Sequence, residues 1–262
     1  MLVASVSYGN DSIALIQWLH ENGASAHHGR VLCAYGDTGW ASSDWPARVS
    51  KAEDVARSYG FEPHRVVSVG FVPLARLKKA WPRNGMQFCT EELKVKPITR
   101  FLEAVDPGGE ATIAIGIRRE ESEARSQWPE HVPDSPKHGG RDAWFPLVRV
   151  VQSQRDAPMR RAGFEPLPHR SKECFPCINS NRADLRLLTE DRICEIEVLE
   201  ASMGTTSKGK PRTLFRPYRH GGAVGIREVV RWAHSDRGAY KPGTEVDADD
   251  SGSGCDSGFC GS

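Results

Sequence analysis

The sequence predicts an α/β chain: a parallel five-stranded sheet with helices on both faces, followed by a small helical C-terminal part and a flexible tail. Three observations carry this reading. Short β-prone runs alternate with stretches of helical apolar spacing over roughly residues 1–150, as crossover-connected parallel strands require. The strand signal then stops, and helical patterns take over after Val151. From Lys241 the chain turns acidic and then small and polar, the composition of a solvated tail.

Taken in order, Leu2 to Val6 is the first strand and ends at Ser7 and Gly9. Ile13, Leu15, Ile16 and Leu19 recur at helical spacing from Asp11 to His20, with Gly23 as the C-cap. Val31 to Tyr35 is the second strand, and Ser43 is the N-cap candidate for a helix to Tyr59. Val66 to Val69 is the third strand, Glu91 to Val105 a helix, Ala111 to Ile117 the fourth strand and Trp144 to Val151 the fifth. Helices follow over Gln152 to Ala162, Asn179 to Leu188 and Asp191 to Met203, and then a basic stretch from Lys208 to Arg231. This is a Rossmann-like arrangement, in which ligands sit beyond the carboxyl ends of the strands. The loops starting at Ser7, Asp37 and Arg118 all emerge at that edge.

A chain of 262 residues, 39% hydrophobic, can bury one α/β domain with a small subdomain. Lys and Arg (35) nearly cancel Asp and Glu (34), so overall charge selects no partner. Membrane crossing is not expected, because no apolar run approaches the ~20 residues it needs. Met1 to Val6 lacks the charged start of a signal peptide, which gives a cytoplasmic expectation. In that reducing setting the seven cysteines point to metal, cluster or redox roles before structural disulfides. Cys33 lies mid-strand and reads as a small buried apolar residue.

Strand, tight Ser/Gly loop and helix together make an anion site. Backbone N–H groups and the helix dipole face the ligand, Gly9 leaves room for it, and Ser7 and Ser12 can add hydroxyl donors. Asp11 beside a phosphate needs an intervening cation such as Mg²⁺. An ordinary strand-to-helix turn with Asn10 or Asp11 as N-cap fits the same six residues. Likewise Arg118 to Arg125, interleaved with Glu120, Glu121 and Glu123, fits either an anion site or a solvated charged helix.

Ser7-Tyr8-Gly9-Asn10-Asp11-Ser12 resembles the S-G-G-x-D-S pyrophosphate loop of N-type ATP pyrophosphatases, with Tyr8 where the second position is normally glycine. Five later segments resemble the PAPS-reductase branch of that superfamily, in order. They are Tyr35 to Gly39 with its D-T-G, Cys89 to Pro97 (C-x4-K-x2-P), Gly116 to Ser122 with Arg125, Trp144 to Leu147 (W-x-P-L), and Cys174 to Cys177 (C-x-P-C). Together they cover roughly residues 1–190. The resemblance implies an adenine-nucleotide site of Ser7, Tyr8, Gly9, Asn10, Asp11, Ser12, Asp37, Thr38, Gly39, Gly116, Arg118 and Arg119. Asp11, Lys94 and Arg118 are its expected catalytic residues, the basic pair neutralising phosphate charge. Three domains follow: 1–150 binding nucleotide, 151–240 a helical cysteine-containing extension, and 241–262 the tail.

Sulfonucleotide reductases that carry a [4Fe-4S] cluster draw ligands from the same two cysteine segments, implying Cys89, Cys174 and Cys177 here. Thr90 stands where their second adjacent cysteine would be, so the fourth ligand is open; Cys194 is one choice and the tail cysteines are others. Zinc or plain thiols fit the C-x2-C pair equally. Cys255 and Cys260 form a redox candidate pair.

Two enzyme readings result. In the first, ATP with Mg²⁺ is cleaved between its α- and β-phosphates, with sulfur delivered from a donor protein to a nucleic acid or other acceptor. In the second, PAPS or APS is reduced by a tail cysteine and sulfite is released. Asp11-Ser12 favours the first, as does the lack of an E-C-G-L-H string. A nucleotide-binding module without catalysis is a third reading, kept open by Tyr8. The basic stretch Lys208, Lys210, Arg212, Arg216, Arg219, His220, Arg227 and Arg231, with Phe215 and Tyr218 interleaved, reads either as a track for a phosphate backbone or as a solvated face. Oligomeric state is open.

Overall fold

The computed structural model describes residues 1–83 and 85–236, so the tail beyond Tyr240, with Cys255 and Cys260, lies outside the described residues. The described chain divides into two units. One comprises Met1–Phe71 and Phe88–Phe175; the other comprises Val72–Gln87 and 176–236. Helix Gln152–Arg161 lies in the first unit and packs against helix Asn10–Glu21.

The first unit holds a six-stranded sheet of order β3-β2-β1-β4-β6-β5. Its strands are β1 (Leu2–Val6), β2 (Val31–Asp37), β3 (Glu62–Val67), β4 (Thr112–Ile115), β5 (His131–Ser135) and β6 (Arg141–Trp144). All neighbours pair in parallel except β5 with β6, which run antiparallel. The expected five-stranded parallel sheet thus gains an antiparallel edge strand. Its sequence, His-Val-Pro-Asp-Ser, lacks apolar alternation and is mostly exposed.

Side-chain alternation splits the sheet into two cores. Leu2, Ala4 and Val6 of β1 join Val31, Cys33 and Tyr35 of β2 on one face. There they meet helices α1 (Asn10–Glu21), α3 (Trp45–Ser58) and α7 (Gln152–Arg161). Val3, Leu32, Ala34, Ile113 and Ile115 face the other side, against Ile98 and Leu102 of α6 (Lys96–Val105). Helices on both faces are as expected, and burial pushes the Cys33 thiol up to about 12, which leaves it a packing residue.

Boundaries moved where apolar residues mislead. The third strand runs 62–67, not 66–69. It is an edge strand that tolerates Pro63, and Val67 is 76% exposed. The fifth expected strand, 144–151, is instead 141–144. Pro146 and the turn bonds Val148 N–H to Phe145 and Val150 N–H to Leu147 bury the apolar run without a ladder. Asp44, not Ser43, caps α3, with Pro46 in its first turn. Two short helices had no clear pattern: α2 (Ala24–His28) and α4 (Phe71–Lys78). The expected helix from Glu91 begins as a short α5 (Phe88–Thr90) and a π-helical turn, Glu91–Val95, before α6.

The second unit contains α8 (Arg182–Leu185), α9 (Glu190–Ser202) and α10 (Ile226–His234). Asn181 and Thr189 cap α8 and α9 through their side chains. Among the described residues no helix is long and apolar enough to cross a membrane.

Candidate nucleotide site

Strand order reverses beside β1, which pairs with β2 on one side and β4 on the other. Such a switch point opens a crevice at the carboxyl ends of the strands. The Ser7–Ser12 loop and the Gly116–Glu121 segment both leave the sheet there.

The loop is tied together from within. The Ser7 N–H donates to Ser12 Oγ at 2.9 Å, the two hydroxyls lie 3.2 Å apart, and the Gly9 N–H reaches Ser7 Oγ at 3.3 Å. The serines therefore shape the turn and hold α1 against β1. Gly9 is the N-cap, with extended backbone. The first N–H groups of α1 have no partner within the helix, and its dipole makes this end attractive to an anion. Asn10 exchanges two 2.9 Å hydrogen bonds with the Leu167 backbone, so its amide is committed to that segment.

Tyr8 adopts φ 57, the left-handed conformation that the usual glycine takes without strain. For a bulky residue this costs on the order of 1–2 kcal/mol. Burial offsets it: the ring is fully buried, 5.4 Å from Tyr35, and Arg48 Nε donates to the Tyr8 carbonyl at 2.8 Å. Burial also pushes the phenol pKa upward, so the hydroxyl stays protonated. The tyrosine thus points into the core.

Asp11, 1% exposed, is the centre of a buried charge network. Arg118 Nε donates to Asp11 Oδ1, and Arg155 Nη1 of α7 stands 3.7 Å from the same oxygen. Arg118 Nη1 donates to Glu120 at 2.9 Å, and its N–H to Glu121 at 3.1 Å. Glu121 pairs in turn with buried Arg125. Arg155 also grips Asp156 at 2.6 Å. A solvated charged helix is therefore excluded: Arg118 and Arg125 are 5% and 6% exposed, Arg118 in extended backbone before the 3-10 turn Arg119–Glu121 and Arg125 in the 3-10 turn Glu123–Arg125. Arg119 is half-buried, its Nε donating to the Trp128 carbonyl at 2.9 Å.

Gly116 lets this happen. A Cβ there would sit 2.9 Å from the Asp11 carbonyl oxygen, so only glycine lets β4 close on the first turn of α1. Gly116→Ala is expected to cost about 1–3 kcal/mol of stability and to weaken nucleotide binding about tenfold, the size of one lost hydrogen bond to a charged ligand. Thermal melting and titration with a non-hydrolysable ATP analogue measure the two. Wild-type affinity in a destabilised variant would place the nucleotide elsewhere.

A second wall comes from β2 and the segment before Cys174. Asp37 Oδ1 accepts the Gly39 N–H at 2.8 Å, and Gly39 takes φ 62. The Thr38 hydroxyl donates to the Glu173 carbonyl at 2.9 Å, and the Phe175 N–H donates to the Trp40 carbonyl at 2.8 Å. Lys94, in the π-helical turn, forms a buried ion pair with Glu173. π-helical turns are frequent at functional sites. Burial pushes the Tyr35 hydroxyl pKa upward, and Glu173 and Asp37 add to it.

Cys89 and Cys174 belong to the first unit, Cys177 and Cys194 to the second. Cys194 is exposed, 3.5 Å from Glu190 and 3.6 Å from Arg227 Nη2. Among the described residues no group of three or more His, Cys, Asp or Glu is placed to hold a metal ion.

Arg155 and Glu173 had no motif to mark them. Arg155 meets Asp11 across 144 residues of sequence, so local pattern carries no trace of it. Glu173 had one available signal, its place directly before Cys174.

Fold and site define an α/β protein with a strand–loop–helix turn at a sheet switch point. The chain belongs to the phosphoadenosine phosphosulfate reductase domain family, whose profile matches residues 1–182. That places it in the PAPS reductase and adenine nucleotide α-hydrolase-like superfamily. It is 26% identical over 145 residues to an uncharacterized 37.8 kDa protein in the gpa 5′ region of Escherichia phage 186, covering 53% of this chain. The match spans 41% of that relative's length. A crystal structure of phosphoadenylyl-sulfate (PAPS) reductase from Candida auris, a phosphate complex, is similar at TM-score 0.45 and 15% identity. It covers 63% of this chain and 73% of that one.

Proposed function

We propose that the chain binds ATP at the Ser7–Ser12 loop and cleaves it between the α- and β-phosphates, transferring the adenylyl group and releasing pyrophosphate. A nucleophilic atom of the acceptor attacks Pα; the bond from Pα to the bridging oxygen breaks, and pyrophosphate leaves with the electron pair. Sulfur from a donor protein would then displace AMP on the acceptor, a nucleic acid or another molecule. The observation that carries this reading is Asp11 in the first turn of α1, joined to buried Arg118 at the switch point. Backbone N–H groups of the loop and Arg118 face the charge that develops on the leaving phosphates.

Asp11 is already held by two guanidinium groups, so the donors present do not fit a resident Mg²⁺. Mg²⁺ enters only as the counter-ion carried in with the nucleotide.

The family match favours a second reading, reduction of PAPS or APS. A tail thiolate attacks the sulfonucleotide sulfur; an S–S bond forms and the S–O bond to phosphate breaks. The second thiol then attacks that disulfide, releasing sulfite and leaving a Cys255–Cys260 disulfide.

One assay separates them. The full chain is expected to release pyrophosphate from ATP with Mg²⁺, and truncation after Tyr240 to leave that release unchanged. Sulfite from PAPS or APS with a thiol reductant, lost on truncation and without ATP cleavage, would establish the reductase instead. Nucleotide binding with neither product would make the chain a binding module.

A further inference from the structure

The basic stretch of the second unit separates into two groups of residues. Phe215 and His220 are buried: His220 Nδ1 lies 2.7 Å from the Arg216 carbonyl, and its ring packs edge-on against Phe215 and Trp232. Arg227 is clamped by Glu197 and Glu190, and Arg231 by Glu228. The first two are core residues and the two arginines are already ion-paired. The remainder is different: between Ala201 and Ile226 there are five Lys or Arg and no Asp or Glu. Glu200, just before it, accepts the Leu214 and Ile226 N–H groups at 2.7 and 2.9 Å, so its carboxylate is committed to the backbone.

Lys208 and Lys210 are exposed on a tight turn closed by the Thr205–Pro211 bridge and the 2.8 Å bond from the Thr206 N–H to the Lys210 carbonyl. Neither lysine nor Arg216 has an ion-pair partner among the described residues. Arg219 lies over the Tyr218 ring at 5.9 Å, and Tyr218 is 68% exposed. Its turn, Pro217–Arg219, is anchored by buried Phe215 and His220. Three exposed cations without an ion-pair partner among the described residues, Lys208, Lys210 and Arg216, thus fall within eleven residues of sequence of an outward aromatic ring, Tyr218.

We infer that this surface binds single-stranded nucleic acid. Cations that no carboxylate neutralises attract a phosphate backbone and release its counterions. An exposed ring with an arginine over it offers a stacking face for an unpaired base, which a duplex does not present. An acidic protein or an anionic membrane would use the charge, but neither would prefer an unpaired base to a paired one. The inference concerns the second unit alone and does not depend on the nucleotide chemistry of the first.

Fluorescence anisotropy of the full chain with a labelled mixed-sequence oligonucleotide of about 12 nucleotides, as single strand and as duplex, tests it across a salt series. The single strand is expected to bind more tightly than the duplex. The variant Lys208→Glu/Lys210→Glu/Arg216→Glu should weaken it at least tenfold and flatten the log–log salt slope by about 2, near 0.7 per lost phosphate contact. Tyr218→Ala should weaken the single strand about 5- to 100-fold with little change in salt slope. All four residues are exposed, so thermal melting should be unchanged. Binding that none of these variants alters, or no binding at low salt, would overturn the assignment. So would equal duplex affinity insensitive to Tyr218→Ala, or charge-dependent capture by anionic phospholipid vesicles without oligonucleotide binding.

Discussion

Asp11→Ala is expected to cost about 3–5 kcal/mol of stability, as removal of one partner from a buried ion pair does, and at least ~100-fold in nucleotide turnover. A loop carboxylate that only held a cation could be removed with the fold intact. Asp11 is instead a shared partner of Arg118 and Arg155, both under 10% exposed, and its loss leaves Arg118 with Glu120 and Arg155 with Asp156 but removes the buried carboxylate between them. The stability cost alone would fit a purely structural pair, so two further variants are needed. Asp11→Asn retains an oxygen for Arg118 Nε and should recover much of the melting temperature while turnover stays low. Adding Arg118→Met to Asp11→Ala should restore part of the stability, a coupling of about 1–3 kcal/mol. Calorimetry and pyrophosphate release read the two effects separately. Wild-type turnover in Asp11→Asn would reduce the network to scaffolding.

What the sequence revealed and what it concealed divide along physical lines. Leu2 to Val6 and Val31 to Tyr35 were readable because burial on both faces demands unbroken apolar runs. The loop was readable because a strand, a small-residue turn and a helix follow one another locally. β5 was not, since its pairing with β6 is made by backbone while its side chains are mostly exposed. The place of Arg155 and Glu173 was hidden for another reason. Each is an ordinary charged residue until the fold carries it beside Asp11 or Lys94, and long-range pairing leaves no periodicity. Tyr8 was visible as a departure from glycine. Only its φ and full burial show that the ring turns inward, in a left-handed backbone conformation that glycine adopts without strain.

Lys94→Met is expected to destabilise the protein by about 3–5 kcal/mol and to weaken nucleotide binding or turnover about 10- to 1,000-fold, the range for a lost charge-assisted phosphate contact. The first effect follows from the burial of the pair: Lys94 and Glu173 side chains are 9% and 7% exposed, so Glu173 would be left charged and desolvated. The second rests on the proposed role, and the two must be separated because instability alone can depress activity. Replacing both partners does so. A buried pair exchanged for apolar side chains of similar volume is often neutral or stabilising, so Lys94→Met/Glu173→Leu should melt near the wild-type temperature. If Lys94 meets phosphate, that stable double variant stays defective in titration with a non-hydrolysable ATP analogue. If it serves only to neutralise Glu173, affinity returns with stability. The π-helical turn gives the structural reason to expect the first outcome: it shifts register within Glu91–Val95, at Lys94 itself, before α6 continues as ordinary helix. Such an irregularity costs helix hydrogen-bond geometry, and a residue needed only for packing against Glu173 would not require it.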